Sequence, residues 1–267
     1  MEEHKQPTVA LADRAVRFEE GSAIKRLGLI ALATDLTSER DFARLVPSDR
    51  AAVHTTRVVY DNPTTPDNLR KMAPNLTAAA DLLVPGEALA AICYSCTAAS
   101  VVIGDEAVAA AIHAARPDVP VVTPTAAARL AFAAMGIGRV AIVTPYLVET
   151  SRPMADYFIR HGITVTRLDC FGLEDDRDMA RVCRESIIEA ACRIGSAQAE
   201  GLFISCTALP ALGAIAEIEA RTEKPVVTSN QASIWAMLRR AGLDDAPKGF
   251  GRLFDFDLPS RHMGLVA

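Results

Sequence analysis

One short pattern of reactive side chains occurs twice in the chain. It is Ser-Cys-Thr-Ala, at 95–98 and again at 205–208. Each copy follows an apolar run and precedes residues that can begin a helix. Such a run, ending in small polar residues, predicts a buried parallel strand followed by a helix. Because the N–H groups and the positive dipole end of a helix favour a thiolate, we expect Cys96 and Cys206 to be two reactive thiols.

The two cysteine segments belong to a chain built from two similar halves. Cys96 and Cys206 stand 110 residues apart (206 − 96). Two other strand-like patterns recur at nearly the same offset, 26–30 with 139–143 and Pro-Val-Val-Thr at 120–123 with 225–228. Several landmarks that repeat in the same order indicate duplication. We therefore expect an α/β fold of two pseudo-symmetric Rossmann-like halves with parallel sheets, and an active site in the cleft between them.

The duplication also predicts where the halves begin and end. We expect an N-terminal arm at 1–24, a first half at 25–124, a second half at 125–228, and a segment at 229–267 that packs back on the first half. The local patterns near the cysteines predict strands at 56–60 and 164–168, helices at 67–83 and 98–115, a helix that ends at 194, and a helix between the second cysteine and 221.

Composition excludes several classes of function. The chain has 267 residues, a net charge of −5 and no Lys/Arg block, which argues against nucleic-acid binding. No apolar run approaches the roughly 18–20 residues that cross a bilayer, and the charged start of the chain is unlike a signal peptide. We expect a cytoplasmic protein without membrane contacts, whose six cysteines are reduced. The five histidines are scattered without ligand spacing, so we expect no metal.

Two thiols on opposite sides of a substrate carbon can work without a cofactor. One thiolate removes a proton next to a carboxylate, and the other thiol returns a proton to the opposite face, which inverts the stereocentre. Alternatively, one thiolate adds to an electron-poor double bond, the carbon–carbon bond rotates, and the thiolate leaves. Both reactions need donors for carboxylate oxygens. Thr97, Thr207 and the N–H groups after each cysteine are candidates.

These features resemble the aspartate/glutamate racemase superfamily. Within it, the chain is most similar to the branch of maleate cis–trans isomerase, arylmalonate decarboxylase and the ectoine-utilisation protein EutA, with EutA nearest. The resemblance spans about residues 25–255 and implies a cofactor-independent isomerase; we also expect a homo-oligomer, a dimer or a tetramer. It is carried by Thr-Asp-Leu-Thr-Ser-Glu at 34–39, Tyr-Ser-Cys-Thr at 94–97, Thr-Pro-Tyr at 144–146, Ser-Cys-Thr at 205–207, Ser-Asn-Gln-Ala at 229–232 and Gly-Phe-Gly-Arg-Leu at 249–253.

The resemblance also implies roles for single residues. In maleate isomerases the matching motifs supply two cysteines, a tyrosine, and two asparagines that hold substrate carboxylates. Here they correspond to Cys96, Cys206 and Tyr146, while the asparagine positions hold Asp35 and Asp176. Because a carboxylate repels a dianion such as maleate, our hypothesis is that one or both aspartates face an ammonium or another proton donor. The substrate would then be a small amino-acid-like carboxylate, such as a diamino acid or its acyl derivative in ectoine breakdown.

Three other functions stay open. The first is a maleate-type cis–trans isomerase with a nucleophilic cysteine, and the second is a non-catalytic protein that binds a ligand in the cleft. The third is an arylmalonate-type decarboxylase, although that chemistry keeps only the second cysteine. Cys93 and Cys96 also form the Cys-x-x-Cys pattern of redox proteins, but the position that matches Cys93 in the second copy is Phe203.

The aspartates and threonines have structural interpretations as well. Asp35 and Asp176 are also typical of helix caps or solvated loop ends, and Asp175 competes with Asp176 for the same role. Asp35 could instead accept the proton of a thiol as part of a relay. Thr97 and Thr207 can cap helices with the same geometry that would hold an anion.

Overall fold

Eight strands form two parallel sheets in the computed structural model, which describes residues 7–18, 24–195 and 198–259. The strands are β1 (Lys25–Leu32), β2 (Ala51–Val58), β3 (Ala91–Tyr94), β4 (Val121–Val122), β5 (Arg139–Tyr146), β6 (Thr164–Leu173), β7 (Gly201–Ile204) and β8 (Val226–Thr228). The order is β2-β1-β3-β4 in the first sheet and β6-β5-β7-β8 in the second, with every neighbouring pair parallel. The equal orders confirm the predicted duplication and the predicted fold class.

Eleven helices accompany the strands in the described ranges. They are α1 (Ser38–Leu45), α2 (Pro66–Arg70), α3 (Leu76–Asp81), α4 (Thr97–Ile103), α5 (Asp105–His113), α6 (Pro124–Ala134), α7 (Val148–Arg160), α8 (Asp176–Met179), α9 (Arg184–Ile194), α10 (Ile215–Thr222) and α11 (Ser229–Arg240). Single 3-10 turns lie at 73–75, 212–214 and 252–255. None of these helices is long and apolar enough to cross a membrane.

The two strands that carry the cysteines lie in the middle of their sheets. β3 pairs with β1 and β4, and β7 pairs with β5 and β8. Every residue of both strands is buried, as expected for parallel strands covered on both faces. Because parallel strands end at the same edge of a sheet, the loops after β1, β3, β5 and β7 meet where ligands of such sheets bind.

The helix that follows each sheet's last strand packs on the other sheet's half. α6 follows β4 but contacts β8, and its Phe132 packs edge-on against Phe158 and Phe203, with ring centroids 5.7 and 6.0 Å away. α11 follows β8 but contacts β3, β4 and α1. Both helices begin at a threonine whose side chain accepts an N–H bond, Thr123 and Thr228. This exchange holds the two sheets close together.

Several predicted elements differ in extent from the observed ones. The predicted helix at 67–83 is interrupted by a 3-10 turn that contains Pro74, a residue without a backbone N–H. The predicted helix at 98–115 breaks at Gly104, whose φ of 98° is not helical. β2 begins and ends earlier than predicted, β6 continues to Leu173, and the helix that ends at Ile194 is preceded by a separate short helix, α8.

The two ends of the chain are described only in part. Of the predicted arm at 1–24, residues 1–6 and 19–23 lie outside the described residues, and residues 7–18 are exposed without helix or strand. Of the predicted C-terminal segment, 260–267 lie outside the described residues.

Candidate functional site

A small cavity lies where the strands of both sheets end. The volume of the cavity that the centre of a water molecule can occupy is about 10 Å³, which is enough for about one water. Its lining comes from both halves: Leu32, Asp35, Tyr60, Thr64, Leu69, Cys96, Ala98, Tyr146, Asp176, Cys206 and Thr207. The structure thus brings six of the seven predicted site residues together. The seventh, Thr97, is not among the lining residues.

Hydrogen bonds between the two halves close this cavity. Thr34 Oγ1 donates to Asp176 Oδ2 at 2.7 Å, and the Thr64 N–H donates to the Glu174 carbonyl at 2.8 Å. Thr150 Oγ1 donates to the Thr64 carbonyl at 2.9 Å. In this closed form the cavity is too small for a substrate with several heavy atoms.

The two cysteines follow their strands in different conformations. Cys96 is extended, and α4 begins immediately after it at Thr97, as predicted. Cys206 has a φ of 92°, a region that non-glycine residues rarely adopt. No helix begins after it; the next helical residue is Leu212, in a 3-10 turn. The prediction of a helix start at the second cysteine is therefore wrong.

Local donors replace the missing helix at Cys206. The Ala208 N–H lies 3.3 Å from Cys206 Sγ and donates to it. The Tyr146 hydroxyl also hydrogen-bonds to this sulfur. The Cys206 N–H donates to Ser229 Oγ at 3.1 Å and so fixes the strained backbone. The tight turn thus supplies the sulfur with donors that the first cysteine obtains from a helix start.

Ser229, the first residue of α11, connects the two cysteine loops. Its Oγ accepts from the Cys206 N–H and also from Thr97 Oγ1, at 2.8 Å. Thr207 Oγ1 in turn donates to the carbonyl of Ser95 at 3.1 Å. The hydroxyls of Thr97 and Thr207 therefore join one half to the other, and they are not free donors in the closed form. In this structure the two predicted anion donors connect the two cysteine loops, and their role toward a substrate stays a prediction.

We expect Ser229→Ala to destabilise the protein and to disturb both loops. The buried Cys206 N–H would lose its acceptor, and a buried donor without a partner costs about 1–3 kcal/mol. Urea unfolding checks the free energy. Ser233→Ala on the same helix is the matched control, because its hydroxyl bonds the Ser229 carbonyl one turn back and its loss leaves no N–H unpaired. Equal losses in the two variants would contradict the role of Ser229.

The two predicted aspartates differ in how they are held. Asp35 Oδ1 accepts from the N–H groups of Thr37 and Ser38 at 2.9 and 2.7 Å, and its Oδ2 accepts from Ser38 Oγ at 2.6 Å. It therefore caps the start of α1 with both oxygens. Asp176 begins α8, and its carboxylate accepts one hydrogen bond among the described residues, from Thr34. Its competitor Asp175 caps α8 and does not line the cavity.

Burial raises the pKa of both thiols, contrary to the expected thiolates. The pKa of Cys206 rises to about 12, because burial and the nearby Asp176 outweigh the hydrogen bonds from Tyr146 and the following N–H groups. The pKa of Cys96 also rises well above its usual value through burial, against one N–H bond from Ala99. Both thiols are therefore protonated at neutral pH in the closed form.

The lining carries negative charge and no basic side chain. Burial raises the pKa of Asp176 to about 6, with a further increase from Asp35 that the Thr34 hydrogen bond opposes. Burial also raises the pKa of Asp35, although its Ser38 and Thr37 hydrogen bonds lower it. When the carboxyl of Asp176 is ionised, the cavity repels anions.

Some lining residues were not among the predicted ones. Tyr60 and Thr64 face the cavity and share a hydrogen bond of 2.6 Å between their hydroxyl groups. The sequence held a signal for Tyr60, since it follows a strand on the edge where the cysteines lie. Leu32, Leu69 and Ala98 complete the apolar wall and carry no signal beyond their hydrophobicity. In the described part of the chain, no cluster of His, Cys, Asp or Glu could hold a metal ion.

Comparisons with known proteins give this site a family context. The sequence model of the arylmalonate decarboxylase family matches residues 75–254, more than half of the chain. Arylmalonate decarboxylase of Bordetella bronchiseptica is 32% identical over 139 residues, which cover 51% of this chain and 58% of that protein. Maleate isomerase of Nocardia farcinica is 25% identical over 245 residues, 88% of this chain and 97% of that protein.

A solved structure extends the likeness to the fold. Maleate isomerase from Pseudomonas putida S16, crystallised with maleate, superposes with a TM-score of 0.80 over 86% of this chain and 97% of that one, at 24% identity. This likeness shows the two-halved fold. The match of the family model over most of the chain places the protein more narrowly, and the chain belongs to the arylmalonate decarboxylase family of the aspartate/glutamate racemase superfamily.

Proposed function

We propose that this protein is a cofactor-independent isomerase that transfers protons between two cysteines and a small amino-acid-like carboxylate. The observation that supports it most directly is the cavity itself, where Cys96 and Cys206 come from opposite halves and line one small space. Opposed acid/base groups are what inversion of a stereocentre requires.

The charge of the lining supports a substrate that carries an ammonium group. Asp35 and Asp176 line the cavity, and no Lys, Arg or His is among the lining residues, although Arg57 near Asp35 and Arg177 near Asp176 act on these carboxyls from outside it. A dianion such as maleate or an arylmalonate would meet one or two carboxylates, whereas an ammonium would pair with Asp176. We assign the ammonium to Asp176 because its carboxylate accepts one hydrogen bond, while Asp35 already accepts three.

A cationic substrate would also prepare the thiols. A nearby positive charge lowers the pKa of a thiol, and a dianion would raise it further. On binding, one thiol loses its proton to solvent. That thiolate then takes the Cα proton, so the S–H bond forms as the C–H bond breaks, and the electron pair is left on Cα beside the carboxylate. The opposite thiol delivers its proton to the other face and becomes the thiolate.

Hydroxyl groups in the lining are placed to hold the substrate carboxylate as negative charge builds up. Tyr146, Tyr60 and Thr64 are the candidates in the lining; Tyr146 is bonded to the Cys206 sulfur, and the hydrogen bond between Tyr60 and Thr64 uses one of their two hydroxyl protons. Donors fixed in advance around a developing charge stabilise it without reorganisation. Thr207 is not counted among these donors, because its hydroxyl is held by Ser95.

Proton exchange in D₂O tests this function. The protein is incubated with single enantiomers of amino acids, diamino acids and acylated diamino acids, and with maleate. We expect deuterium at Cα together with inversion for at least one amino acid, read by NMR and chiral chromatography. Absence of both from every amino-acid substrate, with conversion of maleate to fumarate, would replace the proposal by the second candidate. Binding without any turnover would support a ligand-binding protein.

The second candidate is a cis–trans isomerase acting through one nucleophilic cysteine. It is favoured by the identity with the Nocardia farcinica maleate isomerase, which extends over 97% of that protein. A decarboxylase of the arylmalonate type is the third candidate, supported by the family match. The ectoine context, the cytoplasmic location and the dimer or tetramer stay predictions.

A further inference from the structure

Two buried oxygens lack a hydrogen-bond donor at the contact between α1 and α11. They are Asp41 Oδ1 and Asn230 Oδ1, and neither has a partner among the described residues. Their side chains are 1% and 3% exposed and are already joined, because Asn230 Nδ2 donates to Asp41 Oδ2 at 2.9 Å. The two unpaired oxygens therefore belong to the two partners of one hydrogen bond.

A carboxylic acid and an amide can form a pair of hydrogen bonds. The amide N–H donates to one acid oxygen, and the acid O–H donates to the amide oxygen. Here the first bond is present, and the oxygens that the second bond would join are the two without partners. An ionised carboxylate cannot make the second bond, since it only accepts. Turning the amide around does not help, because its oxygen would then face two acceptors, Asp41 Oδ2 and the Thr207 carbonyl.

The same amide holds the backbone beside the second cysteine. Asn230 Nδ2 also donates to the Thr207 carbonyl at 2.9 Å. The neighbouring Cys206 has a positive φ, a conformation that persists only where its surroundings enforce it. We propose that Asp41 is a positioning residue for Cys206: protonated Asp41 donates to Asn230 Oδ1 and so fixes the amide that holds the Thr207 carbonyl. This inference makes no use of a substrate and goes beyond the proposed function.

The surroundings of Asp41 allow it to be protonated in a useful pH range. Burial raises its pKa to about 6, while the Asn230 hydrogen bond and the charges of Arg40 and Arg44 lower it and Asp35 raises it. The other charged or titratable groups near this part of α1 come from β2, which packs against the helix. They are His54 and Arg57, and Arg57 forms an ion pair with Glu39 of α1. The second hydrogen bond is therefore formed in most molecules at pH 5 and lost by pH 8, where the buried carboxylate is left with one donor among the described residues.

Infrared spectroscopy tests the shared proton directly. We expect the difference between wild type and Asp41→Asn at pH 5 to contain the carbonyl band of a protonated, hydrogen-bonded carboxyl group, and at pH 8 to contain carboxylate bands instead. Asn at this position can both accept from and donate to Asn230, so the variant preserves the pair at every pH. Carboxylate bands already at pH 5 would overturn the proposal.

Alkylation of Cys206 by iodoacetamide tests the positioning role. Mass spectrometry follows the rate at each cysteine, and the exposed Cys183 serves as the reference within each sample. The ratio of the wild-type rate to that of Asp41→Asn should be near one at pH 5, and wild type should react several-fold faster at pH 8. Measured relative to Cys183 in the same sample, Cys206 of Asn230→Ala should react faster than Cys206 of wild type at pH 5 and about as fast as it at pH 8, which keeps the test informative if Asp41→Asn does not fold. A ratio that is constant between pH 5 and 8 would refute the role, and because no substrate is used, this outcome is separate from failure of the proposed function.

Discussion

Single replacement of Cys96 or Cys206 by serine is expected to reduce the interconversion of enantiomers by about 10²–10⁴-fold, the usual contribution of a positioned acid or base. Both thiols line the same cavity and come from different halves, and under the proposed function each acts on one face of the substrate carbon. A serine hydroxyl has a far higher pKa than a thiol and is a poor substitute in either role. The loss should appear in both directions of the reaction.

The two variants should differ in a way that a damaged fold would not produce. With one thiol left, proton removal and return occur on one face only, so Cα exchanges with D₂O without inversion. We expect Cys96→Ser to exchange one enantiomer and Cys206→Ser to exchange the other. NMR of each pure enantiomer in D₂O measures this selectivity.

Cys183→Ser provides the control, because Cys183 is an exposed thiol at the start of α9, outside the cavity. Its activity should equal that of wild type. If both cavity variants exchanged the same enantiomer, the assignment of one thiol to each face would be wrong. If a stable adduct with an unsaturated acid formed on one cysteine instead, the covalent route would be favoured.

The duplication was the part of the fold most open to prediction from sequence. Repeats of strand-like segments at a fixed offset predict the same strand order in both halves, and the two sheets have the same order. Apolar runs that end in Ser-Cys-Thr-Ala also placed both cysteines at the edge where ligands bind. These inferences depend on local pattern and on the geometry of parallel sheets, which vary little between proteins.

The sequence also contained a signal that a helix begins directly after Cys96 but not after Cys206. The shared Ser-Cys-Thr-Ala pattern made the two loops look equivalent. Four residues after the first cysteine stands Ser100, and four after the second stands Pro210. Proline disfavours helical geometry in the residue before it, so Leu209 cannot continue a first turn from Cys206. The helix is displaced to 212 and beyond, and a strained turn takes its place.

The electrostatics of the site could not be predicted from sequence. A thiol beside helical N–H groups is expected to be acidic when water is near. In the fold, the two halves close over Cys96 and Cys206, and the loss of water raises both pKa values more than the local donors lower them. That balance depends on contacts between residues far apart in sequence, such as Thr34 with Asp176.

Asp35 shows a similar limit. The sequence could not separate a helix cap from a substrate contact, since both place a carboxylate at the same loop end. Its three hydrogen bonds show that it caps α1. An Asp35→Asn change would therefore disturb α1 as well as the charge of the cavity. Asp176 is the better position at which to test that charge.

Asp176→Asn is expected to stabilise the protein at high pH. The pKa of Asp176 is raised from 3.8 to about 6, so ionisation is harder in the folded than in the unfolded chain. The free energy of unfolding of the wild type therefore falls as the pH rises from about 4 through about 6. That of the variant does not fall in this way, because it has no carboxyl group to ionise at this position. The difference in the free energy of unfolding between the variant and wild type should grow by about 3 kcal/mol between pH 3 and pH 8, from the size of the shift. Urea unfolding across this range measures it.

The same substitution should remove the preference for a cationic substrate. Loss of one partner from a buried charge pair costs at least about 2 kcal/mol, so kcat/KM for the amino acid should fall by at least about 30-fold relative to its uncharged 2-hydroxy analogue. Conversion of maleate, if any, should rise. Asp178→Asn, two residues away on α8 and exposed beside Arg181, should change neither stability nor preference. If Asp176→Asn were more stable than wild type and still preferred the amino acid, the proposed pairing of Asp176 with the substrate ammonium would be wrong. The buried carboxylate would then lower stability without contributing to substrate recognition.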